Sequence, residues 1–397
     1  MKFRSLVLVL ALGLVSCTRT PVKDRFTSLR RVVAPDVADD IGRADLVRAL
    51  EEHARFQASI QPPSLMRFGA HSILSKDYAQ ALQDVVVFSA QTPDDGVFFQ
   101  EFAKRFEFYE VYGGPRWGEV LLTSYYAAEI PGSPVRTAQF DTPLLGRPAD
   151  LVEVPTGQYD DRFADVGSMR GRLQRDKARG RDQLLPYYSR SQIQQGALGK
   201  RKLELAWVDA LDAFFMQIQG SGTIVLPNER LRLGYSDQNG HLYQSIGKFL
   251  TDVIPLEKLT LSSIEKHLRS LPAQERDAVL NRNPSYVFFE KIEGDPKTSF
   301  GNGVFSGRTI AVDARYFPKG SLAFLSFKKP LFESPEAEEP SGWEDVGRFV
   351  IDQDTGGAIR GGGRTDLFWG AGDEAKRHAG FIKGPARLLY LAPRIPQ

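Results

Sequence analysis

The sequence predicts a mainly β protein with flanking helices, an α+β fold, because the hydrophobic period changes along the chain. Apolar residues recur at helical spacing from about residue 43 to 106 and alternate with polar residues over much of 119–244. Helical spacing returns up to about residue 280, and strand-like runs follow over 286–391. With 397 residues the chain is long enough for two hydrophobic cores.

Helices are predicted before and after the β-rich region. The first covers 43–60, the second begins at the N-cap Ser75, and the third follows Asp94 with Phe98, Phe102 and Phe106 in a row. Further helices are predicted over 245–254, over 262–271 and from Pro272, which suits a first helical position.

The β-rich region and the C-terminal third contain the predicted strands. These are 119–126, 214–218, 223–226, 231–235, 286–289, 309–312, 321–327, 347–351 and 387–391. Asn239-Gly240 predicts a hairpin turn, and Ser189 with Gln192 predicts a capped helical turn. The acidic segment 333–343 predicts an exposed loop. The composition change predicts an inserted β-rich domain at 116–244 between 41–115 and 245–397.

Charge and histidine spacing exclude several classes of function. Lys and Arg number 51 against 49 acids, so no basic excess indicates a nucleic-acid partner. The five histidines are scattered without metal-ligand spacing. We therefore expect no metal, no cofactor and no nucleic-acid partner. We also expect the protein to be a monomer.

The N-terminus has the pattern of a bacterial lipoprotein. Residues 1–16 form a predicted signal peptide, and Cys17, the single cysteine, follows Leu-Val-Ser as in a lipobox. Residues 17–40 are predicted to be a tether. Thr18 in place of Asp favours the outer membrane in a Gram-negative cell. We expect lipidation at Cys17 and a location on the periplasmic face of the outer membrane, since no later segment is apolar enough to span a bilayer.

The glycine-rich segment 353–368 allows several kinds of site. It lacks the Lys-Ser or Lys-Thr of a phosphate-binding loop and the alternating acids of a calcium loop. The triplet Asp354-Thr355-Gly356 resembles that of aspartic proteases, but no second such triplet occurs. A Gly-x-Gly-x-x-Ala pattern from Gly370 is too close to the C-terminus for a dinucleotide fold.

Acid catalysis by aspartate is the chemistry that the segment still permits. Asp313, Asp354 and Asp366 lie beside strand-like or glycine-rich runs. Cleavage of a glycosidic bond needs a carboxylic acid with a raised pKa, and neighbouring carboxylates or apolar cover raise it. A turn role for each aspartate is the alternative, and the residues alone leave it open.

The order of several short motifs resembles one protein family. The stretches are 123–126, 203–207, 212–222, 239–247, 283–289, 311–313 and 353–368. Together they are similar to the membrane-bound lytic murein transglycosylase A family over roughly 115–395. The resemblance implies a double-psi β-barrel carrying the three aspartates, an inserted second β-barrel domain, and a glycan groove between them.

The resemblance also implies a reaction. Members break the MurNAc–GlcNAc β-1,4 bond of peptidoglycan without water and leave a 1,6-anhydromuramyl end. Asp366 matches the catalytic acid, which would then act as base, while Asp354 and Asp313 would support it. The expected glycan contacts are Tyr125, Tyr126, Gln217, Gln219, Ser221 and Gly222. Ser124 and Ala127-Ala128 depart from the family pattern and affect only local groove contacts. The alternative is a peptidoglycan-binding lipoprotein of the same fold without turnover.

Overall fold

A computed structural model describes residues 27–112, 116–159, 168–199, 201–294, 297–337, 339–356 and 359–394. The predicted signal peptide and Cys17 lie outside these ranges. The strands, in chain order, are β1 (Leu29–Val32), β2 (Leu65–Phe68), β3 (His71–Leu74), β4 (Phe106–Val111), β5 (Glu119–Pro131), β6 (Thr142–Leu145), β7 (Val152–Pro155), β8 (Ser168–Asp176), β9 (Arg181–Pro186), β10 (Glu204–Val208), β11 (Gly222–Val225), β12 (Arg230–Gln238), β13 (Val287–Lys291), β14 (Thr309–Ala311), β15 (Leu322–Leu331), β16 (Gly342–Asp354), β17 (Arg364–Ala371) and β18 (Lys383–Pro393).

Helices flank these strands, as the sequence predicts for an α+β fold. They are α1 (Arg43–Ser59), α2 (Ser75–Gln91), α3 (Asp95–Lys104), α4 (Arg190–Gln194), α5 (Ala210–Gln219), α6 (Leu261–Ser270), α7 (Ala273–Leu280) and α8 (Gly372–Phe381). The capping box predicted at Ser189 and Gln192 begins α4. Asp94 caps α3 by accepting from Val97 N–H.

Six strands close into a barrel in the order β18, β15, β16, β14, β17 and β5, with β5 pairing back onto β18. The pairs β14–β16 and β17–β5 are parallel. Closure removes free sheet edges and lets the inward side chains form one core. Helices α1 to α3 contribute apolar side chains to this core, and Phe98, Phe102 and Phe106 are buried there as predicted.

A second barrel-like unit shares β5 with the first. The C-terminal half of β5 pairs in parallel with β11, and β12 and β13 continue the sheet. An isolated bridge joins Gly146 to Phe289, and another joins Ser133 to Trp207. Through these bridges the β6–β10 pair links β13 back to the end of β5.

The C-terminal part of the predicted tether belongs to the fold. Strand β1 pairs with β4, and Leu29 is buried. Arg308 is fully buried and forms a bidentate pair with Asp39, whose side chain is also fully buried. Arg348 binds Asp40 in the same way. The tether prediction is therefore wrong from about residue 29, because buried ion pairs and a strand fix this segment to the barrel.

The region after the predicted boundary at 244 lies with the second unit. Strand β13 pairs with β12, and Leu268 of α6 and Leu280 of α7 pack with Phe214 of α5. Helices α6 and α7 thus cover the apolar side of α5, and β13 continues the sheet of the second unit.

Three local predictions differ from the structure. The predicted strand 214–218 is part of α5, which is capped by Asp209. An apolar run that is buried on most sides has no period that separates helix from strand. The predicted helix 245–254 is only a 3-10 turn at Ile246–Phe249. Asn239 forms no hairpin, because its buried amide binds Tyr188 and Pro284 carbonyls.

Candidate active site

Three neighbouring strands of the first barrel bring the aspartates to one region. Ala311 on β14 is the register partner of Asp354 at the end of β16 and also of Asp366 on β17. Asp313 follows Ala311 by two positions. Since paired strands lie about 4.8 Å apart, the three residues occupy adjacent positions around the barrel wall.

The carboxyl of Asp366 is largely buried and has two polar neighbours. Only 19% of its side chain is exposed, and Arg364 Nε lies 3.5 Å from its Oδ1. The Thr123 hydroxyl donates a hydrogen bond to the same oxygen. Burial raises the pKa of Asp366, and the charge of Arg364 and the bond from Thr123 offset this only in part. The acid form therefore persists to a higher pH than in an exposed aspartate.

Asp354 is held by three donors. Its Oδ2 accepts from the Tyr125 hydroxyl at 2.8 Å. Its Oδ1 accepts from the Ser299 and Thr355 N–H groups at 3.0 and 2.9 Å. The Tyr125 ring packs against Phe368 with centroids 5.2 Å apart. Burial and the nearby charge of Asp354 raise the pKa of Tyr125, so its hydroxyl is a neutral donor.

Asp313 is an ionised anchor for the glycine-rich loop. Arg315 donates to it from Nε at 3.0 Å and from Nη2 at 2.6 Å. The N–H of Gly361 donates to its Oδ2 at 2.9 Å. Burial by itself would raise the pKa of Asp313, but these bonds outweigh burial and hold the pKa below its usual range. The loop is thereby fastened to the end of β14.

A buried polar layer supports the end of β16. His53 Nδ1 accepts from the Gln353 amide at 2.9 Å, and its Nε2–H donates to Gly320 O at 2.8 Å. Burial lowers the pKa of His53 to about 4, so the ring is neutral. Lys319 donates to the backbone carbonyl of Asp354. These bonds fix the backbone from which Asp354 projects.

The second unit brings a tyrosine to the same region. Burial raises the pKa of Tyr243, and the charges of Arg364 and Asp366 also act on its hydroxyl. Tyr243 is 37% exposed, and the effect of the Asp366 charge on its pKa indicates that the two side chains are near each other. The sequence analysis did not assign Tyr243, Thr123 or Arg364 to the site. All three stand in the matched stretches, but only their spatial position beside Asp366 indicates a role.

Three of the six expected glycan contacts, Tyr126, Gln217 and Gly222, are buried. Tyr126 and Gln217 are each 5% exposed and are buried in the second unit. Gln219 Oε1 accepts from the Tyr126 N–H, so its amide holds β5 to the end of α5. Gly222 pairs with Ala128, and a Cβ there would lie 2.8 Å from the Ala128 carbonyl oxygen. Close packing of β5, α5 and β11 buries Tyr126, Gln217 and Gly222, while Gln219 remains partly exposed.

The other two expected contacts are accessible. Tyr125 is partly exposed and lies between Asp354 and Phe368. Ser221 is partly exposed just after α5. In the parts of the chain that the structure describes, no cluster of three or more His, Cys, Asp or Glu residues could hold a metal ion. No helix among the described residues has the length and apolarity to cross a membrane.

Comparison with known proteins identifies the family. The family model of the MltA specific insert domain matches residues 121–290, and that of the 3D domain matches residues 308–392. A protein of Vibrio cholerae named membrane-bound lytic murein transglycosylase A is 26% identical over 386 residues, which cover 95% of this chain and 91% of the relative. Its Escherichia coli K12 namesake is 28% identical over 289 residues, which cover 71% and 68% of the two chains.

A solved structure agrees with the sequence matches. The membrane-bound lytic murein transglycosylase of Agrobacterium tumefaciens superposes with a TM-score of 0.72 at 25% identity, covering 92% of this chain and 98% of that one. The insert-domain match spans β5 to β13, which include the second unit, and the 3D-domain match spans β14 to β18 of the six-stranded barrel. The chain therefore belongs to the membrane-bound lytic murein transglycosylase A family.

Proposed function

We propose that this protein is a peptidoglycan lytic transglycosylase that breaks the β-1,4 bond between MurNAc and GlcNAc and leaves a 1,6-anhydroMurNAc end. The observation that carries the proposal is the environment of Asp366. It is a largely buried carboxyl with a raised pKa, and a hydroxyl and a guanidinium contact one of its oxygens. The names of the relatives, lytic murein transglycosylases, support the same substrate class.

Asp366 acts first as acid and then as base. Its proton passes to the bridging oxygen while the bond from that oxygen to C1 of MurNAc breaks. The C6 hydroxyl oxygen then bonds to C1, and its proton returns to the Asp366 carboxylate. The nucleophile is part of the substrate, so no water is consumed and no second carboxylate is needed to activate one. Arg364 stabilises the carboxylate between the two transfers, since its charge favours the ionised form.

The other two aspartates support this step without touching Asp366. The Tyr125 hydroxyl donates to Asp354, and the charge of Asp366 also raises the pKa of Tyr125. Tyr125 therefore lies near both carboxyl groups. Asp313 fixes the glycine-rich loop through Gly361. We propose that the glycan lies between this face and Tyr243, in contact with Tyr125 and near Ser221.

We also propose that the protein consists of two domains, a catalytic domain and an inserted domain. The catalytic domain consists of the barrel with its helices, and the inserted domain runs from the middle of β5 to β13. The shared strand β5 supports this division, because it carries Thr123 in the first barrel and pairs with β11 in the second. The protein is proposed to act as a monomer without a cofactor.

The test of the reaction is product analysis on purified sacculi. We expect the wild-type protein to release muropeptides with anhydro ends, identified by mass spectrometry. Reducing ends would instead show a hydrolase. Binding to sacculi without any release would favour the alternative, a peptidoglycan-binding lipoprotein that has lost turnover.

Thr123→Val is expected to move the alkaline limb of the pH profile of kcat upward by about one pH unit. Activity requires protonated Asp366 and therefore falls as pH rises through its pKa in the enzyme–substrate complex. The Thr123 hydroxyl stabilises the carboxylate, so its removal raises that pKa further. Release of anhydro ends measured at a series of pH values gives the limb.

Ser124→Ala is the matched control for Thr123→Val. The Ser124 hydroxyl donates to the Leu367 carbonyl at 2.7 Å and does not contact Asp366. The pH profile of Ser124→Ala should coincide with that of the wild type. A downward shift or no shift in Thr123→Val would contradict the assignment of Asp366 as the titrating acid.

We propose that the protein is lipid-anchored through Cys17 on the periplasmic face of the outer membrane. Support comes from the lipobox-like sequence and from the membrane-bound relatives. Cys17→Ser should move the protein from the outer-membrane fraction to the soluble periplasmic fraction after sucrose-gradient separation. Labelling with an alkyne fatty acid should be lost at the same time. Labelling that persists in this variant would place the lipid elsewhere.

A further inference from the structure

A pocket opens at the end of the six-stranded barrel where β5 and β16 begin. It has a volume of about 620 Å³ and lies where β18 leaves β15 and joins β5. Its apolar floor includes Phe327, Val346 and Ile382, and its rim carries Trp117 and Trp343. Trp343 is 47% exposed and therefore offers an accessible aromatic surface at the pocket. The pocket is built to receive a ligand with apolar parts.

Charged side chains surround this apolar floor. Lys328 and Asp345 form an ion pair at 3.0 Å. Lys383 and Arg387 also line the pocket and are exposed, and neither makes an ion pair with any of the described residues. They alternate along β18 with inward residues, so both project from the same face of the strand. Glu119, the register partner of Arg387, also lines the pocket. Three cations (Lys328, Lys383 and Arg387) against two anions (Glu119 and Asp345) leave a net positive charge, which favours an anionic ligand such as a carboxylate.

One edge of the pocket, at Lys383, is near Asp366 along the sheet. Lys383 is the register partner of Thr123, and Thr123 is in turn the partner of Asp366. The backbones of Lys383 and Asp366 are therefore two strand spacings apart, about 10 Å. An extended peptide spans this distance with about three residues.

We propose that the pocket binds the short peptide carried by the muramic acid next to the bond that is cleaved. The inference rests on the proposed function. The free carboxylates of this peptide can pair with Lys383 and Arg387. Its aliphatic side chains can pack on the apolar floor and on the two tryptophans of the rim. Its length is sufficient to span the distance from the pocket to Asp366. The pocket thus gives the enzyme a preference for peptide-bearing over bare glycan strands.

Direct binding tests the pocket without relying on turnover. The probe is the peptide that an N-acetylmuramoyl-L-alanine amidase releases from sacculi. We expect it to change the fluorescence of the wild-type protein, and Trp343→Phe should remove most of this signal. Lys383→Met and Arg387→Met should each weaken binding about tenfold, as for a hydrogen bond to a charged group. Methyl esterification of the peptide should have the same effect.

Lys76→Met is the matched control for both variants. Lys76 is an exposed lysine on α2 that does not line the pocket. This variant should bind the peptide as the wild type does. Equal melting temperatures of all variants would show that the fold is intact. Unchanged affinity in Lys383→Met and Arg387→Met, or equal binding of the esterified peptide, would overturn the proposal.

Kinetic measurements then test whether peptide binding in the pocket increases kcat/KM. The ratio of kcat/KM for intact sacculi to kcat/KM for amidase-treated glycan should fall about tenfold in Lys383→Met. A ratio equal to that of the wild type would contradict the proposal. Failure of the proposed function would look different, because the wild type would then release no anhydro ends from either substrate while still binding the free peptide.

Discussion

Asp366→Asn is expected to lower the release of anhydro ends from sacculi by about 10³-fold, within the range that general acid–base catalysis contributes. An amide cannot donate the proton that the bridging oxygen needs, and it cannot accept one from the C6 hydroxyl. The change keeps the size of the side chain and its place between Thr123 and Arg364. Binding to sacculi should therefore persist while turnover is lost, which a co-sedimentation assay beside mass spectrometry would show.

Asp182→Asn is a suitable control for this prediction. Asp182 lies on β9, its side chain is 57% exposed, and it is far in the fold from the aspartates of the barrel. Its turnover should equal that of the wild type. If Asp366→Asn retained wild-type turnover, Asp366 would not be the catalytic acid, and the family assignment would stand without it.

Arg308→Met is expected to reduce the free energy of unfolding by about 3–5 kcal/mol, the usual cost of leaving one partner of a buried ion pair behind. The side chains of Arg308 and Asp39 are both fully buried. Arg308 also donates to the Phe349 carbonyl of the barrel and to the Gly42 carbonyl before α1. Its loss leaves a buried carboxylate without its cation. The midpoint of urea denaturation measures the effect.

Arg55→Met gives the contrast for Arg308→Met. Arg55 pairs with Glu51 one turn away on α1, and both side chains are exposed. Such surface pairs contribute about 0.5 kcal/mol. We expect little change in the denaturation midpoint. Equal midpoints for Arg308→Met and Arg55→Met would show that the segment before α1 is not fastened to the barrel through Arg308.

The sequence predicted the regular elements well where a single period dominates. The helices beginning near Arg43 and Ser75 and the strands near Thr223 and Thr309 lie within a few residues of their predicted positions. The hydrophobic period did not predict helix α5, because most sides of this helix are buried. It also did not predict helix α8, which begins within a glycine-rich run. Burial on all sides removes the alternation that separates one element from another.

The candidate site shows a similar contrast. Asp366 and its raised pKa agree with the chemistry expected from the sequence, although the sequence could not show what raises it. Tyr125 and Tyr126 are neighbours in one motif, yet successive residues of a strand face opposite sides. Tyr125 therefore reaches Asp354, while Tyr126 is buried in the second unit. A motif gives the order of residues but not the side that each one faces.

The sequence by itself determined the family and the α+β class, because ordered motifs and local periodicity are properties of the chain alone. It also predicted the three aspartates, whose roles remain a proposal. The tertiary structure decided which side chains meet. Strand register brings Thr123 from β5 and Asp366 from β17 together across 243 positions of sequence. It also sets the pKa of Asp366 by burial and forms the pocket at Lys383. Contacts between distant residues depend on barrel closure, which no local pattern encodes.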